Sequence, residues 1–304
     1  MHRAPTLHTG CSALTDADVA AATPDHERVW TPDAPHPGGM AAVRVAGAGP
    51  EVVLVHGSLG DYRQWTPAAA GLAARYRLVA LSRRYHWPHA TAPADAAYTY
   101  EAHRDDLLAL LRARGGAVHL VGHSYGAGIV LLAALAEPAL LRSIVLIEPA
   151  FASLLPDETP DLADELRSRG RMLAAVRGHA AAGDHEAASR CLIDWVQGSG
   201  GEFASLPRWV QAALLDNAVT AGPTVSTPAP QVSPADLRAI DVPALVVAGR
   251  HTRLYYRLIT RQVAAVMPGA RAAELPGAAH MTIVERPDEA AALLASFFDS
   301  TQAR

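Results

Sequence analysis

Short apolar runs alternate along this chain with longer stretches in which apolar positions recur every three or four residues. The runs at 41–45, 52–55, 78–81, 118–121, 144–147 and 244–248 are rich in Val, Leu, Ile and Ala, which predicts strands buried on both faces. Between them, 65–75, 100–114 and 126–135 carry helical spacing, as does 256–267. This order of strands and helices predicts an α/β fold, with a mainly parallel sheet covered by helices on both sides.

The alternation pauses between about 151 and 235. Leu, Ala, Val and Trp recur there at helical intervals and strand-like runs are scarce, so the segment reads as a helical insertion. A Pro-rich stretch at 223–234 returns the chain to the sheet. Ahead of the first strand, Pro32, Pro35, Pro37, Gly38 and Gly39 punctuate a weakly periodic segment, which predicts an extended arm. The expected organisation is therefore an arm over 1–39, a core assembled from 40–150 and 236–304, and a helical lid over 151–235. No internal repeat is visible.

Composition narrows the chemistry. At 304 residues, half of them hydrophobic, the chain can bury a substantial core. All 26 basic residues are Arg, which excludes Schiff-base chemistry through Lys and a phosphate loop that depends on Lys. A net charge of −4 with both signs mixed along the chain supplies no field for attracting nucleic acid. No apolar run is long enough to span a bilayer. Residues 1–24 lack the apolar core of a signal peptide, and Cys11 lacks the run that a lipoprotein site needs. With Cys191 as the only other cysteine there is no disulfide framework. These features predict a cytoplasmic protein without membrane insertion, and leave a homo-oligomer open.

The sharpest motif is Val118-His119-Leu120-Val121-Gly122-His123-Ser124-Tyr125-Gly126-Ala127-Gly128. An apolar strand runs into Gly-x-Ser-x-Gly and then into an apolar helix, which is a nucleophile elbow with Ser124 as the nucleophile. Side chains at 122 and 126 would collide with the neighbouring strand and helix, and the strained turn lifts the serine hydroxyl into the cleft. The following helix aims its first N–H groups at developing negative charge.

On these residues the chain resembles the α/β-hydrolase superfamily over roughly 40 to 300. The fold so implied is a mainly parallel sheet flanked by helices, with a helical lid inserted after the sixth strand, here 144–147. Val52-Val53-Leu54-Val55-His56-Gly57-Ser58-Leu59-Gly60, followed by Trp65, is similar to the family's His-Gly loop after its third strand. The resemblance implies that the backbone N–H groups of Ser58 and Tyr125 form the oxyanion hole. After a short run at 272–275, Pro276-Gly277-Ala278-Ala279-His280-Met281 resembles the family's histidine loop, which makes His280 the expected general base.

The acid departs from the commonest family pattern. An Asp usually follows the strand at 244–248, but no carboxylate occurs between Val242 and Ala273, and Thr252 stands near the expected position. Glu148, at the end of the preceding strand, is the alternative position used by some members. Macrolactone hydrolases that open zearalenone are similar in having a Glu there, and haloalkane dehalogenases with a Glu acid share the position. The expected triad is Ser124, His280 and Glu148.

Lower in specificity are Trp195, Trp209 and Leu214 of the insertion, together with Tyr255 beside the empty acid position, as candidates to line a substrate pocket. Apolar residues at helical spacing serve more often as lid core. Asp216 and Asn217 are read as helix caps. Arg83 and Arg84 are read as ion-pair partners of Glu101, Asp105 and Asp106. His86 and His89 lack further ligands for a metal site, and the resemblance implies no metal or cofactor. The expected chemistry is hydrolysis of a carboxylic ester or lactone of a hydrophobic small molecule through an acyl-enzyme. A non-hydrolytic cyclase or lyase, a carbon–carbon hydrolase and a non-enzymatic small-molecule receptor remain as alternatives on the same scaffold.

Overall fold

The apolar runs become strands, and hydrogen bonding joins them into one sheet in a computed structural model that describes residues 29–33, 39–93, 97–156, 159–198 and 202–301. The strands are β1 (Thr31–Pro32), β2 (Ala42–Ala46), β3 (Glu51–Val55), β4 (Arg77–Ser82), β5 (Val118–His123), β6 (Leu141–Ile147), β7 (Ala244–Gly249) and β8 (Arg271–Leu275). Their order is β1-β2-β4-β3-β5-β6-β7-β8. The pairs β1–β2 and β2–β4 are antiparallel, and every other pair is parallel. Within 1–39, residues 31 and 32 add a short edge strand that periodicity did not predict. The rest of the expected arm, Cys11 included, falls outside the described residues apart from 29, 30, 33 and 39.

Alternation of side chains divides the strands between two cores. Val53, Val55, Leu120, Ile144, Leu146 and Val246 face one apolar cluster, and Val52, Leu54, Val121, Val145, Ile147 and Val247 face the other. The helices α1 (Thr66–Ala73), α2 (Tyr100–Ala113) and α3 (Tyr125–Ala136) follow β3, β4 and β5. Between β6 and β7 come α4 (Pro160–Ala181), α5 (His185–Gln197), α6 (Glu202–Ser205), α7 (Arg208–Leu215), α8 (Ala221–Ser226) and α9 (Pro234–Arg238). The chain finishes through α10 (Leu254–Val266) after β7, then α11 (Thr282–Glu285) and α12 (Pro287–Thr301) after β8. Among the described residues no helix is long and apolar enough to cross a membrane.

Chain direction across the sheet reverses between β3 and β5, and this opens a crevice at their carboxyl ends, where parallel sheets bind ligands. Polar contacts fasten the helical insertion over that edge. Buried Asn217 donates to Asp61 Oδ2 at 2.8 Å and accepts from the Trp87 N–H at 2.7 Å, while Asp216 pairs with Arg63 at 2.8 Å. Asp216 is also the C-cap of α7, and Asn217 Nδ2 donates to the Ala213 carbonyl of that helix at 2.8 Å, so the two residues stand at the helix end as expected and in addition link the insertion to the core through their side chains.

Candidate active site

Three strand ends meet at the crevice. At the end of β5, a Cβ at Gly122 would strike the Gly126 carbonyl, and one at Gly126 would strike the carbonyls of Val55 and His56, so both positions admit only glycine. The turn between them holds Ser124 at φ +52°, in the left-handed region that side chains seldom occupy. Its N–H donates to the Ile147 carbonyl of β6 at 2.8 Å, which anchors the elbow to the neighbouring strand.

Directly after β6 stands Glu148, also left-handed at φ +51° and fully buried. Its N–H donates to Val247 O at 2.8 Å. Its Oε1 accepts the Gly249 N–H at 2.6 Å, and Oε2 accepts the Thr252 hydroxyl at 2.6 Å. The same Oε2 lies 3.1 Å from His280 Nδ1. Thr252, which stands where the commoner acid would be, thus supports the carboxyl group of the neighbouring strand end.

Several contacts fix the loop that carries His280. The Ala279 N–H donates to Glu285 Oε2 at 2.8 Å, and the Met281 N–H donates to Gln197 Oε1 at 3.0 Å. Gln197 in turn donates to Glu285 at 2.9 Å. His123 Nε2 lies 2.9 Å from the His280 carbonyl and must carry the proton, since a carbonyl only accepts. Burial lowers the His123 pKa to about 3, which keeps that ring neutral. The Tyr256 ring packs 4.3 Å from the His280 ring. Of these supports, Thr252 and His123 were already marked by the empty acid position and the elbow motif. Gln197 and Glu285 carry no sequence signal, because each is a single polar residue in an otherwise ordinary helical pattern.

Burial acts on both members of the Glu148–His280 pair. It raises the Glu148 carboxyl to about 8, against the lowering effect of the Thr252 and Gly249 hydrogen bonds. It holds the His280 imidazole well below its ordinary value. Both groups thus favour neutrality until His280 gains a proton, when each charge provides the partner that the other lacks.

The loop after β3 forms the opposite rim. His56 Nε2 accepts the Arg83 N–H at 3.0 Å, so Nδ1 carries the proton and donates to Gly57 O at 2.8 Å. Arg83 also donates to Gly57 O at 3.1 Å and lies 4.6 Å over the Tyr125 ring. Its other contacts are the Tyr98 hydroxyl at 3.2 Å and His103 Nε2 at 3.1 Å. Arg83 is therefore a buried cation with no carboxylate partner among the described residues, contrary to the expected ion pair. The physical reason is that Arg84 already engages Asp106 through both carboxylate oxygens, at 2.6 Å each. The backbone N–H groups of Ser58 and Tyr125 meet no acceptor among the described residues.

Ser58, Ser124, Tyr125, Tyr255 and His280 line one pocket of about 120 Å³, closed from the insertion side by Arg169, Met172, Leu192 and Val196. Three expected lining residues lie elsewhere. Trp195 points between helices, with Nε1 donating to Ser168 at 3.1 Å and its ring beneath the Arg253 guanidinium. Trp209 and Leu214 border a separate small cavity with Leu59 and Val284, because the inner face of α7 packs on the loop after β3. Both ring nitrogens of His86 meet protein partners, Gly60 O at 2.7 Å and the Tyr98 hydroxyl at 3.2 Å.

Known proteins resemble this chain at three levels. The profile of the Alpha/beta hydrolase family matches residues 52–293. Carboxylesterase YbfK of Bacillus subtilis is 25% identical over 251 residues, 79% of this chain and 77% of that one. The 2-(acetamidomethylene)succinate hydrolase of Mesorhizobium japonicum is 32% identical over 133 residues, 43% of this chain. The chain spans 46% of that relative's length. Among solved structures, the carboxylesterase CesB (YbfK) of B. subtilis superposes with a TM-score of 0.64 at 20% identity, covering 87% of this chain and 90% of its own. A thermophilic esterase from Thermogutta terrifontis reaches 0.66 at 21% identity, covering 86% and 93%. At such identities the structural likeness speaks for the fold alone, but the profile match spans most of the sequence: the chain belongs to the alpha/beta hydrolase family.

Proposed function

We propose that this protein is a serine hydrolase that cleaves a carboxylic ester or lactone of a small, largely apolar molecule through an acyl-enzyme. The observation that carries the reading is the contact of Glu148 with His280 at 3.1 Å, on a carboxyl group that the Thr252 hydroxyl and the Gly249 N–H also hold. Ser124 Oγ attacks the substrate carbonyl while His280 Nε2 takes its proton. Glu148 accepts from the Nδ1–H, which sets the tautomer and stabilises the imidazolium as it forms. The carbonyl oxygen becomes an oxyanion between the Ser58 and Tyr125 N–H groups, and the amino-terminal end of α3 adds its dipole. Collapse of the tetrahedral intermediate expels the alcohol, which receives the proton from His280. Water then hydrolyses the acyl-enzyme by the same steps.

Arg83 acts on the oxyanion site from behind. The Gly57 carbonyl that it contacts belongs to the same peptide unit as the Ser58 N–H, so the guanidinium polarises that donor. Residues 151–235 serve as the lid, and a cytoplasmic location belongs to the same reading. The name of the B. subtilis carboxylesterase supports ester chemistry over a carbon–carbon cleavage or a binding role.

A fluorophosphonate probe followed by peptide mass spectrometry tests the proposal, with heat-denatured protein and Ser124→Ala as controls. Labelling is expected at Ser124 of the native protein only. A folded protein that takes no label would turn the assignment towards a non-hydrolytic cyclase or a small-molecule receptor.

A further inference from the structure

We infer that the substrate, apolar along its short acyl chain, ends in a carboxylate and that Arg169 receives it; this rests on the ester-hydrolysing reading above and refines its substrate class. Helix α4 turns Leu162, Leu166, Leu173 and Val176 inward at intervals of three, four and seven residues. Arg169 falls in the middle of that apolar stripe, three residues after Leu166 and four before Leu173. A cation on the buried face of an amphipathic helix breaks the binary pattern, and such breaks concentrate where function requires them.

The surroundings of Arg169 indicate what it is for. Its nearest acid one turn back is Glu165, at the spacing that pairs Glu with Arg on a helix. Arg253 occupies that carboxylate instead, through two hydrogen bonds of 2.8 and 2.7 Å. Arg169 has no carboxylate partner among the described residues, and its guanidinium rests 5.0 Å over the Tyr255 ring. Three other partly buried arginines do find acids, Arg63 with Asp61, Arg84 with Asp106, and Arg114 with Glu51 and Asp33, whereas Arg83 is held by protein hydrogen bonds and lies outside the pocket of Ser124. Arg169 also lines the pocket that holds Ser124 and His280, and no Asp or Glu shares that lining. The pocket thus presents one unpaired positive charge on an otherwise neutral wall.

A half-buried guanidinium loses hydration, and the face of a tyrosine offsets only part of that loss. A carboxylate offsets the remainder through charge-assisted hydrogen bonds to the planar fork. Volume limits the rest of the ligand. The pocket, about 120 Å³, is close to the ~150 Å³ cavity that admits benzene in an engineered protein core, so it suits a short acyl chain. A half-ester of a small dicarboxylic acid combines these features, with its ester at Ser124 and its free carboxylate at Arg169.

Two esters of matched length test the assignment: monoethyl glutarate, which is anionic, and ethyl pentanoate, which is neutral. The wild-type protein is expected to prefer the anion by at least about tenfold in kcat/KM. Arg169→Met brings that ratio near one, and Arg169→Lys leaves it between the two. A wild-type preference for ethyl pentanoate, or a ratio unchanged by Arg169→Met, would overturn the assignment. Calorimetric titration of Ser124→Ala with monoethyl glutarate reads the same contact without turnover, and adding Arg169→Met is expected to weaken Kd about tenfold. Equal affinity in the single and double variants refutes the carboxylate site. Should neither ester be turned over while binding still depends on Arg169, the ester reading fails and the anion site stands.

Discussion

The core wall of the pocket positions its groups through the backbone, whereas the insertion wall positions them through side chains carried on helices. Ser124 and Glu148 each sit one residue past a strand in a left-handed conformation, and each N–H is bonded to the next strand of the sheet. Arg169, Met172, Leu192 and Val196 reach the same pocket from α4 and α5, and their placement depends on how those helices pack. The first arrangement tolerates almost no error, and the second allows the cavity to be reshaped one side chain at a time. Under the proposed function, this difference assigns chemistry to one wall and selectivity to the other.

The comparison breaks most easily on the core wall. Glu148→Gln keeps the shape but presents an amide donor to Nδ1, which drives the proton of His280 to Nε2 and removes the base. Steady-state turnover of an ester is expected to fall by about 10³ to 10⁴, with folding intact by circular dichroism. If Glu148→Gln stays near wild-type while Ser124→Ala is inactive, another residue orients His280. Thr252→Val deletes one hydrogen bond to the carboxylate, and kcat is expected to drop roughly tenfold to a hundredfold. Arg83→Met leaves both oxyanion N–H groups in place but removes the charge behind one of them. A loss of roughly tenfold in kcat with KM unchanged would show that the guanidinium acts on the transition state. Gln197→Ala cuts the tether between α5 and the histidine loop and is expected to cost about fivefold, measured in the same assay.

Acidity offers a finer test. Burial raises the folded-state pKa of Glu148 to about 8, above its unfolded value, so the stability it contributes is fully present below the unfolded pKa and is lost as pH rises through the folded one. Ester turnover needs the carboxylate with a neutral imidazole, so kcat/KM is expected to rise over the same interval. Thermal melts and rates measured between pH 6 and 9 should therefore run in opposite directions, and Glu148→Gln should flatten the fall in melting temperature.

What could be read from the amino-acid sequence divides along the same line. The strands, the elbow at Ser124 and the histidine loop were legible because tight turns demand particular residues at fixed spacing, and apolar runs mark buried strands. Glu148 could be named as the expected acid only through the family resemblance, because the usual Asp position after the next strand is empty. On the insertion, helical periodicity identified helices but not their rotation about their axes. Trp195, Trp209 and Leu214 therefore lie away from the pocket, while Arg169 lines it and Gln197 reaches the histidine loop. Arg83 departs from its expected ion pair for a related reason: Arg84 takes Asp106 and Arg104 takes Asp105, and only three-dimensional packing decides which arginine is left without an acid.

Glu148 is also the first residue beyond β6 on the way to the insertion, and the Tyr255 hydroxyl donates to the Ala150 carbonyl two residues later, at 3.2 Å. In the more usual arrangement the acid lies beyond the insertion, and the two can diverge separately. With Glu148 as the proposed acid, the root of the insertion is welded to it. Grafting a foreign insertion onto this scaffold would need its upstream splice placed beyond Ala150, while the downstream junction ahead of β7 is free of that constraint.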